Sequence, residues 1–161
     1  MIEILQIGTP EQIEPAQTLF REYEAWFGLA LCFQNFDAEV ANLPGKYAAP
    51  EGRLLLAFAD ENLAGCIALR KLEDGICEMK RLFVKDGFRG QKIGILLIQK
   101  LIEEAKEIGY QKMRLDTFPP KMAKAVKLYE YYSFVEIPPY YHNPYGETLF
   151  MEKDLTNRVN F

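Results

Sequence analysis

Apolar residues recur along the chain at two spacings, and each spacing predicts a different secondary structure. Alternating or continuous apolar segments predict strands at residues 2–7, 53–59, 63–70, 76–84, 112–116, 134–137 and 148–155. Apolar residues three or four positions apart predict helices at residues 10–27, 90–108 and 122–132, and a shorter, less regular helix inside 29–52. The resulting order, β-α-α-β-β-β-α-β-α-β-β, predicts an α/β fold with a mixed sheet and helices on both faces.

Local signals predict where several of these elements begin and end. Thr9 and Gln12 have the spacing of a capping box, with a proline at the first helical position, and Gly28 predicts the end of that helix. Turn residues at 60–62 and 73–75 predict two hairpins that join three consecutive strands.

The composition indicates one globular domain spanning residues 1–161, since 49% of the residues are hydrophobic and 26% are charged. The net charge of −4 is uneven, because residues 1–64 carry ten acids and three bases, whereas residues 65–161 carry thirteen acids and sixteen bases. This distribution argues against a nucleic-acid binder with a broad basic face. The single histidine and three scattered cysteines predict no metal site, and no segment reads as a signal peptide or membrane span. We therefore expect a cytoplasmic protein with reduced cysteines and no membrane contact.

The segment from Glu78 to Gly109 combines a predicted strand, a glycine-containing turn and the start of an amphipathic helix. Free backbone N–H groups and the helix dipole favour an anion at such a helix N-terminus. Basic residues, which suit a phosphate, surround the turn: Lys80, Arg81, Lys85, Arg89 and Lys92. Two interpretations stay open for this stretch by itself, a phosphate site or a solvated basic face beside an ordinary turn. Its glycine spacing fits neither the Walker loop nor the dinucleotide fingerprint.

Two motifs in this half of the chain resemble those of the GCN5-related N-acetyltransferase (GNAT) family. Residues 89–94, Arg-Gly-Gln-Lys-Ile-Gly, resemble the family loop Arg/Gln-x-x-Gly-x-Gly/Ala, with Lys92 in place of the central glycine. Residues 125–134 resemble the family pattern Ala-x-x-Leu-Tyr-x-x-x-Gly-Phe, with Ser133 in place of the glycine. The resemblance covers about residues 53–155. It implies the GNAT fold, a mixed and mostly antiparallel central sheet with helices on both faces.

The resemblance also implies an activity, the transfer of an acetyl group from acetyl-CoA directly to a primary amine of a small molecule or a protein. In the family, backbone amides of the loop hold the coenzyme A pyrophosphate, and the preceding strand pairs with the pantetheine arm. The residues assigned to coenzyme binding in this way are Leu82, Phe83, Val84, Arg89, Gly90, Gln91, Lys92, Ile93, Gly94, Thr117 and Tyr129. The alternative is a catalytically silent module that binds acyl-CoA. A longer acyl group, an oxygen acceptor and a homodimer also stay open.

Two residues receive catalytic roles from the same resemblance. Glu78, eleven residues before Arg89, matches the glutamate base of the family, and a carboxylate on a core strand is expected to have a raised pKa. It could instead pair with Lys80 or Arg81 and brace the sheet. Tyr129 matches the tyrosine that protonates the departing thiolate, although its place on the apolar helix face also suits a core residue.

The acceptor is predicted to be a compact, cationic primary amine with some apolar body, which Tyr140, Tyr141 and Tyr145 could cover or hold over a ring. The excess of acids before residue 65 predicts a cationic amine, because a carboxylate-lined entrance raises the local concentration of an ammonium group. The walls of the acceptor site are expected in the loops 28–52 and 138–147.

Overall fold

The computed structural model of the protein describes residues 1–29 and 35–156. The strands in this part of the chain are β1 (Ile2–Gln6), β2 (Arg53–Ala59), β3 (Asn62–Glu73), β4 (Ile76–Val84), β5 (Lys112–Thr117), β6 (Val135–Ile137) and β7 (Leu149–Asp154). The helices are α1 (Ile13–Phe27), α2 (Phe36–Ala41), α3 (Ile93–Ile108) and α4 (Pro119–Tyr131). The predicted order of helices and strands is therefore confirmed.

The strands form one seven-stranded sheet with the order β1-β2-β3-β4-β5-β7-β6. Five neighbouring pairs run antiparallel, and β4 and β5 alone among these strands run parallel. The expected sheet, mixed and mostly antiparallel, is confirmed. The parallel pair needs a crossover connection, which α3 supplies.

Helices cover both faces of the sheet and bury a separate core on each. α3 packs with Leu55 and Ile67 on one face, whereas α1 and α2 pack with Leu54 and Leu56 on the other. Because successive side chains of a strand point to opposite faces, the continuous apolar segment of β2 serves both cores at once.

Some of the predicted helix ends agree with the structure, and others differ from it. The Thr9 N–H donates to Oε1 of Gln12 at 3.1 Å, and Gly28 ends α1 with a φ of 75°. The first turn, Pro10–Gln12, is a 3₁₀ turn rather than α-helix. α3 begins at Ile93 and not at residue 90, because Lys92 just before it has a φ of 64° and so lies outside the helix.

Two observations concern the cysteines and the membrane. Cys66 and Cys77 are buried free thiols, as expected, whereas Cys32 lies outside the described residues. No helix in the described part of the chain combines the length and apolarity needed to cross a bilayer.

Candidate active site

The parallel strands β4 and β5 separate at the centre of the sheet. Their ladder pairs Ile76 with Lys112, Cys77 with Met113 and Glu78 with Arg114, and it ends there. Both strands continue beyond this last pair, so their carboxyl ends enclose a wedge. A wedge of this kind leaves backbone groups of one strand available to a ligand.

A bulge in β4 lies at the wedge. Ile67 of β3 faces two residues of β4, since the register shifts between Cys66 and Ala68, and the bulged residue Arg81 has a φ of 61°. Two residues opposite one is the arrangement of a β-bulge, which bends the strand and re-aims the residue that follows. That residue is Leu82.

A buried ion pair holds the bulge against α2. The Arg81 guanidinium donates to both carboxylate oxygens of Glu39, at 2.8 and 3.0 Å, and the side chains are 3% and 6% exposed. The guanidinium also lies over the rings of Phe36 at 4.9 Å and Tyr23 at 5.9 Å. The bulge is thus attached to α1 and α2, the two helices on that face.

A cleft of about 510 Å³ opens beside the bulge and extends along β4 towards α3. A volume of this size is ordinary for a small-molecule site. Side chains and backbone from β4, the following loop, α1, α3 and α4 line it: Trp26, Leu82, Phe83, Val84, Arg89, Gly94, Pro120, Lys121, Met122, Ala123, Lys124, Ala125 and Tyr129.

The loop between β4 and α3 has the backbone geometry of an anion site. Gly90 has a φ of 87° and Lys92 a φ of 64°, so the chain turns in the left-handed region twice before α3 begins. Successive turns of this kind orient N–H groups to one side, where the helix dipole also favours negative charge. Arg89 donates to the Val84 carbonyl at 3.1 Å, and its guanidinium lies 5.5 Å from the Trp26 ring centre.

The sequence-predicted coenzyme residues divide into three groups. Six line the cleft, namely Leu82, Phe83, Val84, Arg89, Gly94 and Tyr129. The exposed loop that leads into α3 carries Gly90, Gln91 and Lys92. The third group, Ile93 and Thr117, has buried side chains that do not line the cleft. The Thr117 hydroxyl donates to the sulfur of Met122 at 3.4 Å.

Tyr129 lies at the point where the cleft meets the wedge. Its residue is 5% exposed, and it lines both the large cleft and a small cavity between β4 and β5. Burial raises the pKa of the Tyr129 phenol, and the neighbouring Tyr23 and Asp116 add to the shift. The hydroxyl is therefore protonated at neutral pH.

Glu78 is enclosed by partners instead of facing the cleft. Its carboxylate accepts from Arg70 Nε at 2.8 Å and from the Tyr140 hydroxyl at 2.6 Å, and Lys80 lies 3.8 Å away. Burial raises the pKa of Glu78, but Lys80 and Arg70 and the two hydrogen bonds outweigh burial and hold it below its usual value. The predicted raised pKa is therefore wrong. The predicted pairing with Lys80 is confirmed, whereas Arg81 pairs with Glu39.

The sequence reasoning missed Asp116, which also lines the small cavity. The Tyr141 hydroxyl donates to Asp116 Oδ2 at 2.9 Å, so the loop after β6 reaches both β4, through Tyr140, and β5. The sequence shows that this loop is rich in tyrosine, but no local pattern connects these tyrosines to one acidic residue at the end of β5. The missed lining residues also include Trp26 and the first turns of α4.

The acids before residue 65 that have partners in the structure are neutralised by neighbouring cations. Glu39 pairs with Arg81, and Glu22 pairs with Lys85 at 3.6 Å. Among the described residues that line the small cavity, the acidic one is Asp116, from the other half of the chain. No group of three His, Cys, Asp or Glu side chains suited to a metal ion occurs within residues 1–29 and 35–156.

Comparison with known proteins gives a family and a fold. The model of the acetyltransferase (GNAT) family matches residues 13–134. An uncharacterized N-acetyltransferase of Schizosaccharomyces pombe is 38% identical, over 96% of this chain and 96% of its own. An uncharacterized N-acetyltransferase of Dictyostelium discoideum is 34% identical, over 83% of this chain and 90% of its own.

A solved structure adds a ligand for one relative of the fold. The PaiA N-acetyltransferase of Thermoplasma acidophilum, determined in complex with coenzyme A, superimposes with a TM-score of 0.74. The two chains are 22% identical, and the match covers 96% of this chain and 99% of the other. At this identity the likeness concerns the fold alone.

Proposed function

Because the chain belongs to the GNAT acetyltransferase family, we propose that it transfers an acetyl group from acetyl-CoA to a primary amine, with both substrates bound at once. The observation that carries the proposal is the position of Leu82 and Tyr129 around one small cavity where β4 and β5 part. An amide donor and a protonated phenol beside the same space are what an acyl transfer to nitrogen requires.

Three features of the cleft suit acetyl-CoA as the acetyl donor. The glycine-containing loop turns its backbone before α3 and so offers N–H groups to a pyrophosphate. Arg89, Lys121 and Lys124 line the cleft with positive charge. The edge of β4 from Leu82 to Val84 also lines it, which suits pairing with an extended amide-bearing arm.

The chemistry assigned to the protein has two parts. The N–H of Leu82 would donate to the thioester oxygen as that oxygen gains charge, and a fixed donor in a water-poor site is worth most at that moment. The hydroxyl of Tyr129, which is protonated at neutral pH because its pKa is raised, would give its proton to the sulfur as the carbon–sulfur bond breaks.

Glu78 remains the proposed base, acting through a relay. Its side chain is 1% exposed and does not line the cleft or the small cavity, so direct contact with an acceptor is not expected. The Tyr140 hydroxyl that donates to it, or a water, would pass the proton on. Two buried free thiols, Cys66 and Cys77, support a reducing compartment, so we propose a cytoplasmic location.

The test compares two tyrosines of the same helix. Tyr129→Phe should lower kcat by about 10²–10⁴ with the acetyl-CoA dissociation constant little changed, since the ring is kept and only proton transfer is lost. Tyr131→Phe is the matched control, because Tyr131 is 79% exposed and lies outside the cleft. The measurement is free thiol release from acetyl-CoA over a panel of amines. A wild-type rate in Tyr129→Phe would contradict the assigned role.

A second function, acyl-CoA binding without turnover, is favoured by one observation. The lowered pKa and enclosure of Glu78 make it a weak base for catalysis. If the protein only binds acyl-CoA, acetyl-CoA at a hundredfold excess over its Kd would stabilise the fold by about 2.7 kcal/mol, and no thiol would be released with any amine.

A further inference from the structure

The small cavity between β4 and β5 contains one carboxylate that the proposed chemistry does not use. Its volume is about 30 Å³, and a group the size of a water molecule requires roughly 10–15 Å³. An ammonium group has that size, whereas a whole acceptor molecule does not fit. The residues around it are Tyr23, Met79, Lys80, Arg81, Leu82, Leu115, Asp116, Met122 and Tyr129.

A chain of hydrogen bonds from the loop after β6 holds the Asp116 carboxylate in place. The Tyr145 N–H donates to Asn143 Oδ1 at 2.8 Å, and Asn143 Nδ2 donates to the Tyr141 hydroxyl at 3.0 Å. The Tyr141 hydroxyl in turn donates to Asp116 Oδ2 at 2.9 Å. An ionised carboxylate has about four acceptor positions, so Asp116 can accept further hydrogen bonds.

The cations beside the cavity are already neutralised, so they do not cancel the charge of Asp116. Arg81 is bidentate with Glu39, and Lys80 lies 3.8 Å from Glu78. No cation of the described residues lies within 4.0 Å of the Asp116 carboxylate.

Four phenols among the described residues also lie close enough to Asp116 to feel its charge. Burial is the main reason that their pKa values are raised, and the charge of Asp116 raises each of them further; they are Tyr23 of α1, Tyr129 of α4, and Tyr140 and Tyr141 of the loop after β6. These hydroxyls stay protonated at neutral pH and carry no charge of their own. Asp116 is therefore the negative group at the wedge that an incoming cation would meet.

We propose that Asp116 binds the ammonium group of the acceptor and holds its nitrogen at the wedge, a role that rests on the proposed acetyl transfer. One proton passes from R–NH₃⁺ through the relay to Glu78 and then to solvent. The free amine bonds to the thioester carbon beside the Leu82 N–H, and the carbon–sulfur bond breaks. The sulfur receives a proton from Tyr129, and the second proton lost by the nitrogen restores that tyrosine.

The experiment measures amine binding and not turnover. The coenzyme A-saturated protein is titrated with benzylammonium chloride and with benzyl alcohol, a neutral probe of similar shape, and binding is followed by NMR chemical shifts. Asp116→Asn should weaken benzylammonium binding about ten- to hundredfold, because a charge-assisted hydrogen bond is lost. Benzyl alcohol binding should not change. Asp74→Asn is the matched control, since Asp74 is fully exposed on the β3–β4 turn.

A second variant and a pH titration test the same proposal. Tyr141→Phe keeps the carboxylate but removes its anchor, and it should weaken benzylammonium binding less than Asp116→Asn does. Wild-type affinity for benzylammonium should fall as the pH rises, because the probe loses its proton and with it its positive charge.

The proposal is overturned if the wild type binds benzyl alcohol as well as benzylammonium, or if Asp116→Asn binds benzylammonium normally. Coenzyme A binding to Asp116→Asn should be unchanged in the same samples. The proposed acetyl transfer is tested separately: if the wild type released no thiol from acetyl-CoA, that activity would be contradicted whatever Asp116 binds.

Discussion

Removing the negative charge of Glu39 should destabilise the protein more than any surface substitution. Arg81 would keep its charge in a site where its side chain is 3% exposed, with no carboxylate to balance it. Glu39→Gln is the sharpest change, because it preserves the volume of the side chain and one carbonyl acceptor while removing the charge.

The magnitude follows from the geometry of the pair. Breaking a buried ion pair from one side costs about 3–5 kcal/mol, and for a domain of 150–250 residues each kcal/mol lowers the Tm by about 2–4 °C. A fall of roughly 6–20 °C is therefore expected. The pKa values agree with a favourable pair: burial opposes both charges, yet the pKa of Glu39 is lowered and that of Arg81 is raised.

The assay is urea unfolding at pH 7, with thermal unfolding alongside. Asp37→Asn is the control, because Asp37 is 86% exposed and its pair with Arg21 should contribute only about 0–1 kcal/mol. The double variant Glu39→Leu/Arg81→Leu should lose less than Glu39→Gln, since no unpaired charge stays buried.

The stability contribution of Glu39 should also depend on pH in a definite direction. A lowered pKa in the folded state means that Glu39 stabilises the fold above its unfolded pKa of about 4.3 and loses this contribution as the pH falls further. The difference between wild type and Glu39→Gln should therefore narrow in acid. A loss below 1 kcal/mol at pH 7, or a difference that widens in acid, would refute the reasoning.

Three further predictions follow from the loop and from Glu78. Lys92→Gly should stabilise the fold by about 1 kcal/mol because Lys92 has a φ of 64°, whereas the control Lys100→Gly, inside α3, should destabilise it by about as much in the same urea titration. Gly94→Val should leave the fold intact, since a Cβ there meets only one contact, at 3.9 Å, but it should abolish acetyl-CoA binding measured by calorimetry. The control Gly87→Val should bind acetyl-CoA normally, and normal binding by Gly94→Val would contradict the role assigned to the loop. Glu78→Gln should lower kcat by about 10², and an unchanged kcat would mean that Glu78 has only a structural role. Because the pKa of Glu78 is lowered, the difference in unfolding free energy between wild type and Glu78→Gln should shrink below about pH 4.

The two family motifs predict a backbone conformation as well as a set of residues. Both positions where the chain departs from the family glycines, Lys92 and Ser133, have positive φ values of 64° and 72°. Glycine adopts this conformation without steric cost, and an L-residue adopts it at some expense. The motifs thus report a backbone shape, and the shape is retained where the glycine is not.

The sequence determined the elements and their order, since these depend on residues a few positions apart. Only the tertiary structure decided the electrostatics of the site. Tyr141 meets Asp116 across 25 residues, Arg81 meets Glu39 across 42, and Tyr140 meets Glu78 across 62. Whether a carboxylate is a free base or a neutralised one depends on these distant partners, because burial and neighbouring charges shift its pKa in opposite directions. No local pattern encodes that balance.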